Sequence, residues 1–181
     1  NVVLLEDFMS EALKKAGKEL KQRYKKIDNK AAKIIGYGAL KYAILKVSPE
    51  KNVTFNWQQA LNFEGETAPY IQYAYARISS IVKKNKNKVP AKADFSLLSS
   101  KEETELIKKI ADFPNVAEKA TIELKPSLIA NYTYELAKQF NEFYHIYNIL
   151  KEKEEIKNAR LILIDCIRQV LRNSLGLLGI G

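Results

Sequence analysis

The stretch LIANYTYELAKQFNEFYHIYNIL, from Leu128 to Leu150, gathers the side chains best suited to recognition. It holds the only histidine of the chain, His145, together with Asn131, Asn141 and a run of aromatic residues. Tyr132, Leu136, Phe140 and Phe143 follow at steps of four, four and three, the spacing of one inward helical face. A second stripe, Tyr134, Lys138, Asn141 and His145, runs at four, three and four on another face. Rings stack on unpaired bases, amides bond base edges and lysine meets phosphate, so this mixture suits single-stranded nucleic acid. An ordinary amphipathic helix whose tyrosines keep their hydroxyls in water has the same spacing. Both readings stand on this stretch alone.

Catalytic constellations are scarce. His145 and the single cysteine, Cys166, are far apart in sequence. Cys166 lies among the apolar residues of ARLILIDCIRQVL and reads as a small buried hydrophobe, because a reactive thiol needs an electropositive, partly exposed setting. Metal sites need several His or Cys ligands or a tight carboxylate cluster, and the acidic runs KEETE and KEKEE alternate with lysine as solvated helix faces do. No phosphate-binding loop or nucleophile elbow occurs, and the Gly36–Gly38 pair follows no strand. No catalytic residue and no metal ligand is expected.

The elements that must carry the recognition residues come next. At 181 residues and 46% hydrophobic content the chain can build a real core, and a single cysteine fits a reducing cytoplasm. No apolar run approaches the roughly 18 residues that span a bilayer, and no signal peptide is seen, so no membrane association is expected. Asn1 stands where an initiator methionine would, which leads us to expect a piece of something longer. The net charge of +9 is uneven. Residues 1–68 carry 12 Lys+Arg against 8 Asp+Glu, residues 69–90 five against none, and residues 91–181 thirteen of each. A basic excess suggests a polyanion partner, met by the first half.

Residues 4–26 read as a helix with Phe8, Met9, Ala12 and Ala16 on one face and Gly17 as a possible break. Asp28 or Asn29 caps a second helix, whose Gly36 and Gly38 permit close packing. VTFNW at 53–57 alternates like a short strand, and WQQALNF like a helical turn. From Pro69 the pattern is helical throughout. Ile71, Ala74, Ile78, Ile81 and Val82 make one face, and KNKNKVPAKAD is a basic loop. Ser100 and Glu103 form a capping box before a helix with Leu106, Ile107 and Ile110 inward. Pro114 and Pro126 start two more helices, and a last one, ended by glycine, runs through NARLILIDCIRQVLRNSLGLLG. The expectation is a mainly α chain: a small mixed α/β connector over 1–68 and an antiparallel bundle of about five helices over 69–181.

Several blocks together resemble one family. NVVLLEDFMSEALKKA, IGYGALKYAILKVSPEKNVTFNWQQALNFEGETAPYIQYAYARISSI, LKPSLIANYTYELAKQFNEFYH and ARLILIDCIRQVLRNSLGLLGI resemble the C-terminal portion of the arginyl-tRNA synthetases. The likeness covers nearly the whole chain, and PYIQYAYARI and ANYTYELAKQFNEFY are its most specific blocks. It implies a stem-contact connector over 1–68 and the helical anticodon-binding domain over 69–181. The parent reaction is the ATP- and magnesium-dependent attachment of arginine to tRNA(Arg). The catalytic domain, with its His-x-Gly-His-type signature, is not in this sequence and would be a partner within the same longer chain. This part would bind no cofactor, supply recognition rather than chemistry, and have no role on DNA or membranes. Family members extend a few residues past the LLGI block, whereas Gly181 is the last residue here.

By position, the resemblance puts Asn131, Tyr132, Phe140, Asn141 and Tyr144 around the anticodon surface. Periodicity favours Tyr134 over Tyr132 as the base-facing ring, the block match favours Tyr132, and Tyr132, Phe140 and Tyr144 are equally readable as core. Arg160 and Arg168 are expected phosphate partners, and the segment 146–157 a loop that closes on the RNA. Tyr73 and Arg77, next to the lysine loop at 83–88, complete the set. The competing expectation is a helical protein-interaction module with incidental charge.

Overall fold

The computed structural model describes residues 4–25, 28–86 and 88–181. Residues 1–3, 26, 27 and 87 lie outside them, so position 26 of the helix expected over 4–26 and one position of the lysine loop are not described.

Helix α1 (Leu5–Tyr24) packs along α2 (Asn29–Leu45). Ala12 and Ala16 on α1 have no exposed surface. A Cβ at Gly36 of α2 would stand 2.7 Å from the Ala12 carbonyl oxygen and 3.2 Å from the Ala16 Cβ. Two small residues facing a glycine let the backbones approach, and Gly17 does not interrupt α1. Asp28 caps α2, accepting hydrogen bonds from the Lys30 and Ala31 amides at 2.9 and 3.2 Å.

The expected strand at 53–57 does not form, and among the described residues there is no strand, so the connector is helical rather than mixed α/β. A strand needs a neighbour for its amides and carbonyls. Here the segment has none, and Asn56 instead caps the short helix α3 (Trp57–Ala60), accepting from the Gln59 amide at 3.1 Å. The alternation serves packing. Phe55 and Trp57 join Phe8 in an aromatic trio with ring centroids 4.7 to 4.9 Å apart.

Helix α4 (Ala68–Lys84) starts at a Thr67 cap with Pro69 in its first turn. Its stripe of Ile71, Ala74, Ile78, Ile81 and Val82 is buried throughout. A 3-10 turn at Phe95–Leu97 leads to α5 (Lys101–Ala111), α6 (Phe113–Ile122), α7 (Pro126–Ile146), a 3-10 turn at Ile149–Lys151 and α8 (Glu154–Leu177). The α5 capping box is complete: the Glu103 amide donates to Ser100 Oγ at 3.2 Å, and the Ser100 amide to Glu103 Oε2 at 3.0 Å. Leu106 is buried, but Ile107 is turned out and 38% exposed. The segment expected as a loop over 146–157 shrinks to 147–153, because its acidic end enters the first turn of α8, where carboxylates meet free amides. Gly179 follows α8 at φ +64°, and the Ile180 amide returns to the Leu175 carbonyl at 2.8 Å. Cys166, expected in the core, is exposed: Ile164 and Ile167 take the inward face of α8 and turn position 166 outward.

Helix α7 runs through the middle, and Leu136, Phe140 and Phe143 have no exposed surface. Tyr42 of α2 reaches into the same core and donates its hydroxyl to the Ala130 carbonyl at 3.1 Å. Burial pushes that phenol far above its ordinary value, so it stays a neutral donor.

The two glycines of the first helix pair should behave oppositely. Gly36→Ala must displace α1 backbone, with an expected loss of about 1–3 kcal/mol as for other overpacked sites. At Gly17 nothing lies within 4 Å of an added Cβ. Gly17→Ala should therefore gain roughly 0.5–1 kcal/mol from helix propensity. Thermal or urea melts of the two variants measure both signs.

Candidate nucleic-acid interface

Where α4 and α7 run side by side, four of the expected site residues meet. Tyr73 and Arg77 are one turn apart on α4; Asn141 and Tyr144 are nearly one turn apart on α7. The Arg77 guanidinium carbon lies 4.7 Å from the Tyr73 ring centroid and 4.8 Å from that of Tyr144. Its Nη1 donates to Asn141 Oδ1 at 2.5 Å. A planar cation is thus held between two rings, an arrangement attractive through the ring quadrupoles. Tyr73 and Tyr144 remain 44% and 37% exposed, so each can still meet a ligand. Beneath Tyr144, the ring of buried Phe140 lies 6.1 Å away and fixes its seat.

A cavity of about 350 Å³ opens beside this cluster, walled by Arg23, Phe63, Tyr70, Tyr73, Arg77, Asn141 and His145, with the Glu64 carboxylate among them. Arg23 repeats the motif on a smaller scale, standing 4.5 Å over the Phe63 ring. A second cavity of about 640 Å³ shares Tyr73 and Phe63 and is otherwise mainly apolar, with Ile34, Leu175, Ile180 and Arg172 among its walls. Tyr73 is therefore a partition between a polar cavity and an apolar one. Exposed rings, stacked cations and pockets of this size suit flat heterocycles joined to anions.

The other expected residues lie elsewhere. Asn131 is exposed but stands ten residues before Asn141, about 15 Å along α7. Tyr132 is buried, 5.6 Å from the Phe113 ring, and donates its hydroxyl to the Lys109 carbonyl at 2.7 Å. Burial raises its phenol well above the ordinary value. Tyr134 is half-buried behind Tyr70, with ring centroids 5.6 Å apart; burial and the nearby Tyr70 raise its phenol too. Phe140 is core. Arg168 is half-buried and pairs with Asp165 at 2.6 Å. In the lysine loop, Lys83, Lys84, Lys86 and Lys88 are exposed.

Arg160, expected at a phosphate, is interior. Its Nε donates to Glu103 Oε1 at 2.7 Å and its Nη1 to Glu152 Oε1 at 2.8 Å. Its guanidinium lies 4.2 Å from the Tyr147 ring centroid, and the Tyr147 hydroxyl donates to Glu102 Oε2 at 3.1 Å. The arginine is spent on fastening the 147–153 connection to α5. Burial alone would raise the Glu103 carboxyl, but hydrogen bonds from the Ser100 amide and from Arg160 outweigh it and hold the group below the usual carboxylate range.

Sequence reasoning missed Arg23, Phe63 and Arg172. Arg172 follows Arg168 by one turn, and that spacing could have flagged it. Arg23 and Phe63 come from separate elements, and only the tertiary fold brings them to the cavity.

A sequence profile described as "DALR anticodon binding domain" matches residues 71–181. The chain belongs to that family. The match includes nearly all of α4 and everything after it, hence the whole Tyr73–Arg77–Asn141–Tyr144 cluster. Similar curated proteins are the arginine–tRNA ligases of Methanocella arvoryzae, 45% identical over 99% of this chain and 32% of that protein, and of Thermococcus sibiricus, 43% identical over 97% and 29%. Among solved structures, Thermus thermophilus arginyl-tRNA synthetase superposes with a TM-score of 0.91 at 29% identity, over 99% of this chain and 32% of the other. The Plasmodium falciparum arginyl-tRNA synthetase does so with a TM-score of 0.83 at 26% identity, over 99% and 33%. The chain thus spans about a third of the length of the proteins it matches.

Removing Glu103 takes one of two carboxylates from a buried guanidinium, leaving only Glu152, and breaks the α5 capping box, so Glu103→Ala should cost about 3–5 kcal/mol. In the unsubstituted chain the depressed carboxyl contributes stability that is fully present above the unfolded value of about 4.3 and is lost as pH falls through the lower folded value. Acid melts should lose this contribution below about pH 4, and Glu103→Ala should flatten that limb.

Proposed function

We propose that this chain recognises tRNA(Arg) through its anticodon loop, as part of an arginine–tRNA ligase that couples ATP use, with magnesium, to attachment of arginine. The observation that carries the reading is the Arg77 guanidinium held between two exposed tyrosine rings, inside the region matched by the anticodon-binding family. Unpaired loop bases stack on Tyr73 and Tyr144, His145 and Asn141 face the base edges, and Arg77 and Arg23 meet phosphate or base faces. Residues 1–68 act as the connector and residues 69–181 as the anticodon-binding unit. Catalysis belongs to the remaining two thirds of the ligase, which is the intramolecular partner. We place the protein in the cytoplasm, where its RNA is used. Asn131, Arg168 and the exposed lysines of 83–88 are secondary contacts to the RNA backbone.

The test is a binding titration with a tRNA(Arg) transcript and with the same transcript altered at its central anticodon base. Tighter binding to the natural anticodon is expected. Tyr73→Ala and Tyr144→Ala should each remove about 1–3 kcal/mol of affinity. Because both rings are partly exposed, their melting temperatures should stay near that of the parent chain. Equal binding of both transcripts, or unchanged affinity in both variants, would overturn the reading in favour of a helical protein-interaction module.

A further inference from the structure

The cavity beside Arg77 collects cationic side chains, and one carboxylate stands among them. Arg23, Arg77 and His145 share its wall with Glu64. Glu64 is exposed, and among the described residues its carboxylate joins no ion pair and no hydrogen bond. The arginines are engaged elsewhere. Arg77 lies between the Tyr73 and Tyr144 rings and donates to Asn141, and Arg23 stands over the Phe63 ring. Glu66, two residues on, is by contrast paired, with Lys46 Nζ 3.5 Å away.

The turn that carries Glu64 is fixed to the start of α4. The Glu64 amide donates to Asn62 Oδ1 at 3.0 Å, and the Thr67 hydroxyl donates to the Asn62 carbonyl at 2.6 Å. Gly65 reverses the chain at φ +94°, a backbone that residues with a side chain rarely adopt. Thr67 in turn caps α4, its hydroxyl accepting from the Tyr70 amide at 3.3 Å. Position 64 is therefore held in a set relation to the helix that bears Tyr73 and Arg77.

A carboxylate in a cavity that meets RNA opposes binding, because it repels every phosphate that comes near. Its presence is productive only where it accepts a hydrogen bond that a wrong ligand cannot give. An unpaired base has such an edge to offer. Cytosine presents an amino group next to a ring nitrogen and a ring carbonyl, one donor beside two acceptors. The carboxylate takes the first, and the guanidinium and amide N–H groups of the same cavity take the others. Uracil has the same size but carries a carbonyl oxygen in place of the amino group, which would set lone pairs against lone pairs. We propose that Glu64 is a specificity-determining residue that selects a cytosine of the RNA loop read at Arg77 and rejects uracil there. This rests on the tRNA reading above and adds to it a residue that lowers affinity while raising discrimination.

The test is Glu64→Gln in the 181-residue chain, with Glu66→Gln as a control of equal charge change. Affinity is measured for the tRNA(Arg) transcript and for transcripts in which each cytosine of the anticodon loop is replaced singly by uracil. In the parent chain one of these replacements should weaken binding about tenfold or more. Glu64→Gln should bring that ratio most of the way back to one. It should do so by binding the uracil transcript more tightly than the parent does, because the glutamine amide can donate to the uracil carbonyl. Glu66→Gln should shift all transcripts alike and keep the parent ratio. A parent ratio retained in Glu64→Gln, an equal loss of ratio in Glu66→Gln, or a uniform weakening of every transcript by Glu64→Gln would each overturn the proposal while leaving the loop reading in place. A parent chain that tells none of the replacements apart would overturn both.

Discussion

Helix α7 is enclosed, and most of the architecture follows from that. Ala130 and Tyr132, which project from nearly opposite sides of the helix, are both buried, so packing reaches it from two directions at the same level. Elements α4, α5, α6 and α8 all lie against it. A helix buried on that many sides keeps only a narrow strip for any other purpose. Near its end the strip holds Tyr144 and His145, with Asn141 at its edge, and the neighbour along that strip is α4. The position of the exposed Tyr73–Arg77–Tyr144 cluster is thus set by the packing of the core, and Arg77 needs only to stand on α4 at the matching height.

The buried polar groups near α7 answer a related demand. Arg160 and Glu103 are almost fully enclosed, and a buried ion pair is weak grounds for added stability because desolvation consumes much of its attraction. Its geometric effect is clearer. Glu103 caps α5, receives Arg160 from α8, and through the arginine's second bond to Glu152 holds the connection that follows α7. Three elements are tied in one register at the end of α7 that carries the exposed rings. Tyr42 does the same at the other end, where its hydroxyl reaches the Ala130 carbonyl and binds α2 to the bundle.

Much of this was legible in the residues. Prolines and caps marked the starts of α4 to α7, and the apolar stripe of α4 was buried at every expected position. What periodicity could not decide was depth. Tyr132 and Tyr144 are both tyrosines of one helix, yet one ends in a hydrogen bond inside the molecule and the other stays at its surface. That difference depends on α5 and α6 covering the first and not the second. Arg160 misled for the same reason: an arginine on an amphipathic helix reads as surface until the carboxylates that enclose it are placed. The strand at 53–57 failed because alternation records two environments and says nothing of whether a second strand exists to pair with. Cys166 shows the limit of composition, since apolar neighbours in sequence were not its neighbours in space.

The bond between Arg77 and Asn141 has a consequence for what the cavity offers a ligand. A guanidinium has only donors. By accepting from it, Asn141 commits lone pairs of its amide oxygen inside the free protein, before any ligand is bound. The cavity wall still carries both signs, because the Glu64 carboxylate stands in it with Arg23 and Arg77. A ligand edge that presents lone pairs finds its donors at the arginines, and one that presents an amino group finds its acceptor at Glu64 rather than at the amide oxygen.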